Sequence, residues 1–142
     1  MAACVFCAIL AGKEAALIVF EDAICMAFLD TRPLFPGHTL VIPRVHRPTF
    51  RDVPRGELEP LMAAAQRISA ALEKAVRSEG TFVALNDRVS QSVPHIHVHV
   101  VPRRKGDGLR GFFWPRQRYE SAEEAAGYAE RLREALSVSA VP

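Results

Sequence analysis

Two short apolar, β-rich runs, Leu17–Phe20 and Ile24–Leu29, flank the break Glu21-Asp22-Ala23. Such runs joined by a short polar interruption predict a hairpin. Proline and glycine then punctuate Arg32-Pro33-Leu34-Phe35-Pro36-Gly37, a predicted loop, before a third strand over His38–Ile42 that Pro43 ends. From about Arg55 to Ser78 the period changes, and Leu58, Leu61, Met62, Ala65, Ile68, Leu72 and Val76 recur at three- and four-residue steps. That spacing draws one apolar stripe on a long helix, with Pro60 near its first turn and Gly80 marking its end. Thr81–Asn86 and His95–Val101 read as two more strands. Ser121-Ala122-Glu123-Glu124 has the S-x-x-E form of a capping box and predicts a C-terminal helix to about Leu136. Strands in hairpin order, without alternating crossover helices, predict an α+β domain. It holds an antiparallel sheet of about five strands with a long helix, a short N-terminal helix and a C-terminal helix.

A chain of 142 residues, 49% of them apolar, suits one domain with a real core, and no repeat or low-complexity tract divides it. Residues 103–142 read as a C-terminal extension of that domain. The formal charge of +2 is too small to announce a general nucleic-acid binder, which leaves small phosphorylated ligands open. Met1–Leu10 has no basic segment followed by a long apolar one, and nowhere do 18 uncharged apolar residues run together. The expectation is a cytoplasmic protein without a membrane span. There, the pair Cys4 and Cys7, a C-x2-C, favours metal or redox chemistry over a structural disulfide. Cys25, between Ile24 and Met26, reads as a small buried hydrophobe without a role.

The chemistry concentrates in His95-Ile96-His97-Val98-His99-Val100. Period two sends all three imidazoles to one face of an extended chain and Ile96, Val98 and Val100 to the other. A solvated polar face would be served as well by Lys, Thr or Glu. One metal shared by the triad is awkward, because a rise of about 3.3 Å per residue sets the Cα atoms of His95 and His99 roughly 13 Å apart. Covalent catalysis fits better: a neutral imidazole attacks phosphorus while its neighbours bind oxygens or handle the leaving group. Histidine alone combines a nucleophilic nitrogen with a pKa near neutrality.

Gln91-Ser92-Val93-Pro94-His95-Ile96-His97-Val98-His99-Val100-Val101-Pro102-Arg103 resembles the signature of the histidine-triad family. Upstream, Phe28-Leu29-Asp30 followed by Pro36-Gly37-His38-Thr39-Leu40-Val41-Ile42-Pro43 resembles that family's second stretch, in the same order. The resemblance implies nucleotide chemistry at an α-phosphate, with His97 as nucleophile and a nucleotidyl-histidine intermediate. It implies His99 at the reacting phosphate or leaving group and His38 in support, with His95 completing the triad. Ser92 and Gln91 match positions that meet the α-phosphate, Asp30 the acid that accepts from ribose hydroxyls, and Phe6, Ile9, Phe28 and Leu29 apolar positions that flank a purine base. Asp30 equally suits a turn cap at Thr31-Arg32-Pro33, and the four apolar residues equally suit the core. One departure concerns the loop from Asn86 to Gln91, the family's ribose and phosphate loop. It is about two residues shorter than the family's and carries Ser90 where glycine is common, so a tighter path is expected.

Cys4 and Cys7 need two more ligands for the tetrahedral site that zinc prefers. With His38, His97 and His99 taken by chemistry, His46 and His95 are the candidates. Bacterial members of the family that this sequence resembles carry the same C-x2-C with those two histidines and bind structural zinc. The alternative is an apolar helical turn without metal. No acidic cluster offers the hard oxygen ligands of magnesium. Arg103, Arg104, Lys105, Arg110, Arg116 and Arg118 form a basic stretch enclosing Phe112-Phe113-Trp114-Pro115. The family resemblance implies a homodimer in which Trp114 reaches toward the partner's site. The triad leaves two substrate branches, nucleoside phosphoramidates and dinucleoside polyphosphates. A hydrolase of adenylated nucleic-acid ends and a noncatalytic nucleotide sensor are the other readings.

Overall fold

The computed structural model describes residues 3–109 and 117–138. The chain divides into two compact units, one ending at Asp107 and the other beginning at Gly108. In the first, helix α1 (Val5–Leu10) precedes strands β1 (Ile18–Glu21), β2 (Cys25–Leu29) and β3 (Thr39–Pro43). A single 3-10 turn at Phe50–Asp52 leads into helix α2 (Arg55–Ala75), then β4 (Gly80–Ala84) and β5 (Val98–Arg103). The second unit contains helix α3 (Ala122–Val138). The five strands form one antiparallel sheet in the order β1-β2-β3-β5-β4, the α+β architecture expected from the strand pattern.

The hairpin turns at Asp22, whose Oδ1 accepts from the amides of Ile24 and Cys25, both at 2.7 Å. Alternation in the strands then divides the core in two. Cys25, Ala27, Val41, Val98 and Val100 face α2, which returns Leu61, Ala64, Ala65, Ile68 and Leu72. Met26, Phe28, Leu40 and Ile42 take the opposite face, under Phe6 and Ile9 of α1.

Helix α2 stops at Ala75, before Gly80. Val76 caps it, Arg77 turns left-handed at φ 56°, and the amide of Ser78 reaches back to the Leu72 carbonyl, so Gly80 is free to open β4 instead. Pro60 lies in the second turn, where it forgoes one hydrogen bond to the carbonyl four residues back. In α3 the hydroxyl of Ser121 accepts from the Glu124 amide at 3.0 Å, while the Glu124 carboxylate accepts from the amide of Glu120. That is one half of the predicted capping box.

The last strand begins three residues later than its sequence pattern suggests, at Val98. Its partner β3 ends on Pro43, which has no N–H to extend the ladder. The Pro43 carbonyl instead meets the His95 ring, and the Ile96 amide donates to the Arg47 carbonyl at 2.7 Å. Arg47 is itself anchored by a two-bond ion pair to Glu57 of α2. His95 and His97 therefore sit on a bent approach to the strand, held by main-chain bonds.

Candidate active site and metal centre

Register alone assembles one wall of the site. Phe28 pairs with Leu40, and Leu40 pairs with His99, so all three stand in a row on the face away from α2. His97, two residues before His99, keeps to that face while Val98 turns into the core. A pocket of about 680 Å³ opens there. Val5, Phe6, Ile9, Phe28, Leu29 and Leu40 give it an apolar side; Asp30, Arg32, Ser92, His97 and His99 give it a polar one. Its volume is within the range of small-molecule sites.

Backbone groups dictate which ring nitrogens carry protons, since a carbonyl only accepts and an amide only donates. His97 Nδ1 lies 2.8 Å from the His95 carbonyl and must donate, which leaves the lone pair on Nε2. The Leu34 amide donates to His38 Nδ1 at 3.1 Å, so the proton of a neutral His38 sits on Nε2. That Nε2 donates to His99 Nδ1 at 3.0 Å, and His99 is left with an N–H at Nε2. Asp30 Oδ2 stands 3.7 Å from His38 Nε2, and its other oxygen accepts from the Arg32 amide at 2.8 Å. Burial above all holds His99 at a pKa of about 4, with His97 and His38 adding repulsion that Asp30 only partly offsets. His38 is lowered as well, again chiefly by burial. At neutral pH the pair is an uncharged relay.

Donor atoms of Asp30, His38 and His99 lie within 4.8 Å of one another, close enough for a metal by distance alone. The Leu34 amide argues against one, because a ring that accepts at Nδ1 keeps its proton at Nε2, where the metal would bind. The second cluster behaves oppositely. His95 Nε2 donates to the Pro43 carbonyl at 2.8 Å, freeing Nδ1 toward Cys4 Sγ at 3.5 Å and Cys7 Sγ at 3.6 Å. His46 Nδ1 lies 3.3 Å from Cys7 Sγ. Tetrahedral zinc with its usual bond lengths separates sulfur and nitrogen ligands by about 3.6 Å. Cys4, Cys7, His46 and His95 thus form a two-sulfur, two-nitrogen site that can hold zinc, and the Pro43 carbonyl orients one ligand as metal-bound histidines require. Burial first, and then the adjacent Cys4, raise the Cys7 thiol above its ordinary pKa; a divalent cation reverses that balance.

The structure brings most of the expected residues together. Phe6, Ile9, Phe28, Leu29, Asp30, Ser92, His97 and His99 line the pocket, with His38 behind His99. His95 does not: its fully buried ring faces the cysteines. Asn86 and Gln91 are also outside the lining. The Asn86 amide donates to the Ser90 carbonyl, and Gln91 bridges the Arg88 amide and the Pro48 carbonyl. The tight path expected of this loop is present, with Arg88 at φ 68° and Ser90 at φ 58°, both in the region glycine favours. Asp30 accepts from the Arg32 amide, as its turn reading expects, and also lines the pocket. The contributions of Leu34, Pro43 and Arg47 leave no mark in the sequence, because each acts through its main chain. Arg110, Arg116 and the cluster Phe112-Phe113-Trp114-Pro115, including the dimer contact assigned to Trp114, lie outside the described residues. No helix among the described residues is long and apolar enough to cross a membrane.

Imidazoles on alternate residues, entering an antiparallel sheet beside a small-molecule pocket, define a histidine-triad domain. The HIT domain model matches residues 11–106, and the chain belongs to that family. It is 40% identical over 136 residues to an uncharacterized HIT-like protein of Mycobacterium tuberculosis, covering 94% of this chain and 93% of the relative. It is 36% identical over 108 residues to the adenylylsulfatase HINT3 of Arabidopsis thaliana, covering 75% of this chain and 55% of that protein. Among solved structures, a zinc-bound histidine triad family protein from Mycobacterium smegmatis matches with a TM-score of 0.73 and 39% identity, covering 94% of this chain and 97% of the other.

Proposed function

We propose that the protein hydrolyses a purine nucleotide conjugate at its α-phosphate through a nucleotidyl-histidine on His97. The observation that carries this reading is the His95 carbonyl on His97 Nδ1, which directs the lone pair of the neutral tautomer to Nε2 on a pocket-lining ring. Phe6, Ile9, Phe28 and Leu29 offer the base an apolar slot, Asp30 offers the ribose diol a carboxylate, and Ser92 offers the phosphate a hydroxyl. Asn86 and Gln91 serve by holding the loop that carries Ser92.

Nε2 of His97 forms a bond to phosphorus as the bond to the leaving group breaks, and the leaving group takes the electron pair. The positive charge that develops on the ring is shared with the His95 carbonyl through Nδ1–H. The Nε2–H of His99 donates to the departing atom or a phosphoryl oxygen, preorganised stabilisation of the kind that dominates such reactions. Water then attacks phosphorus, the N–P bond returns its electrons to His97, and a nucleoside monophosphate and a proton are released. A neutral His99 offers a hydrogen bond more readily than a proton. Leaving groups that depart as stable anions, such as sulfate or a polyphosphate, are therefore favoured over amines. The name of the Arabidopsis relative, an adenylylsulfatase, supports sulfate as one such leaving group.

The test is turnover of adenylyl sulfate, a diadenosine polyphosphate and an adenosine phosphoramidate by wild type and His97→Ala, without added magnesium. Wild-type turnover fastest on the anhydrides and lost in the variant is the expected result. Absence of turnover on all three by a wild type that still binds AMP would overturn the enzymatic reading and leave a nucleotide-binding one.

A further inference from the structure

Two elements are shared between the metal site and the pocket, and sharing couples them. The first is His95. Its Nδ1 faces Cys4 and Cys7, its Nε2 donates to Pro43, and its own carbonyl holds Nδ1 of His97. One residue is thus a ligand to the metal and the group that sets the tautomer of the proposed nucleophile. The second is α1, which Cys4 caps and to which Cys7 belongs, with Phe6 and Ile9 turned into the pocket. Phe6 sets its ring edge-on to Phe28, His95 and His97, at 5.4, 5.9 and 5.2 Å between centroids. A six-residue helix without a side-chain cap does not persist on its own intrinsic stability. Its placement depends on what grips it, and two of the four ligands, Cys4 and Cys7, lie on the same turn as Phe6 of the pocket wall.

We infer that the metal centre is a positioning device for the pocket: zinc at Cys4, Cys7, His46 and His95 and a nucleotide under Phe6 bind cooperatively, with His95 as positioning residue for His97. This rests on the reading of the pocket as a nucleotide site. Zinc-free protein retains the core between α2 and the sheet, to which α1 contributes nothing. Its α1 keeps only the packing of Phe6 and Ile9 on the sheet and is held less firmly, so nucleotide binding must then fix that helix at a cost in affinity. Linkage makes the effect mutual, since a nucleotide that favours the docked helix tightens zinc by the same factor.

The measurement is calorimetric titration of AMP into zinc-loaded and chelator-stripped protein, paired with competition for zinc against a chromophoric chelator with and without saturating AMP. We expect AMP to bind roughly tenfold more tightly to the loaded protein, and AMP to raise zinc affinity by the same roughly tenfold factor. His46→Ala removes the exposed ligand and leaves Cys4, Cys7 and His95 in the chain, so its AMP affinity should climb as zinc is titrated in. If stripping unfolds the wild type, the chelator competition on loaded protein and the His46→Ala titration still read the coupling. Equal AMP affinity with and without zinc, or zinc affinity indifferent to AMP, overturns the inference while leaving the proposed function standing. No AMP binding by fully loaded protein removes both.

Discussion

The two imidazole clusters are built from similar parts and have no residue in common, yet they are set for different chemistry. Around the cysteines, the Pro43 carbonyl takes a ring proton and leaves a lone pair pointing inward. Around Asp30, the Leu34 amide takes a lone pair and leaves the proton pointing inward. A carbonyl in one place and an amide in the other decide between metal and proton chemistry, although donor atoms converge within 4.8 Å in both. Distance alone would have called them the same.

Substitutions should separate the clusters in a graded way. His97→Ala is expected to lower turnover by at least ~10³-fold, as loss of a covalent nucleophile does, while AMP affinity and metal content stay near wild type. Zinc lost together with activity would mean that the clusters are not separable there. His38→Asn breaks the relay at its middle and should lower kcat roughly 10²-fold, with zinc remaining at about one equivalent per chain. A second tightly bound equivalent in wild type that this variant abolishes would reveal a metal among Asp30, His38 and His99 after all. Cys7→Ser should reverse the pattern, emptying the metal site and lowering Tm by several degrees while leaving the relay assembled. Metal analysis and a thermal melt on one preparation decide it.

Acidification gives a finer contrast. His99, held near pKa 4 by burial, stays unprotonated when folded while its unfolded counterpart takes up a proton below about 6.5. The unfolded state then binds more protons, so stability falls as pH drops from about 6.5 toward 4 and is unaffected by this group above that window. A Tm series over that range should be steeper for wild type than for His99→Asn. Parallel series would show that the ring is not held neutral. The smallest expected effect is at Ser90→Gly, where φ 58° suits glycine. Relief of strain and lost chain entropy oppose each other, so denaturant unfolding should show a gain under about 1 kcal/mol.

Legibility in the sequence followed the side chains. The period-two pattern of Ile96, Val98 and Val100 against the three histidines, and the stripe from Leu61 to Leu72, were readable because burial depends on residue type. The C-x2-C and the two motif stretches pointed to the metal set and to the pocket wall. What escaped was the work of backbone atoms: the proton accounting by Leu34, Pro43 and His95, and the anchoring of Ile96 by Arg47. Any residue but proline donates an amide, so composition carries no trace of it. The late start of β5 has the same origin, since the pattern His95–Val101 continues while its ladder partner runs out at Pro43. Helix α2 ended early for a related reason. Arg77 accepts a left-handed conformation that sequence rules reserve for glycine.

The relay that begins at the Leu34 amide has a consequence for how such a domain diversifies. Because its polarity is written in main-chain atoms, the exposed lining side chains outside it are free to drift without disturbing it. Substitutions at the exposed Val5, Glu14 or Arg32 can remodel what enters the pocket while the tautomers behind it stay put. A lineage can therefore explore new cargo by single steps, each tolerated because the reactive geometry is inherited from the chain path. For an engineer the lesson runs the same way: residue 34 should never become proline, and the pocket mouth is the place to randomise.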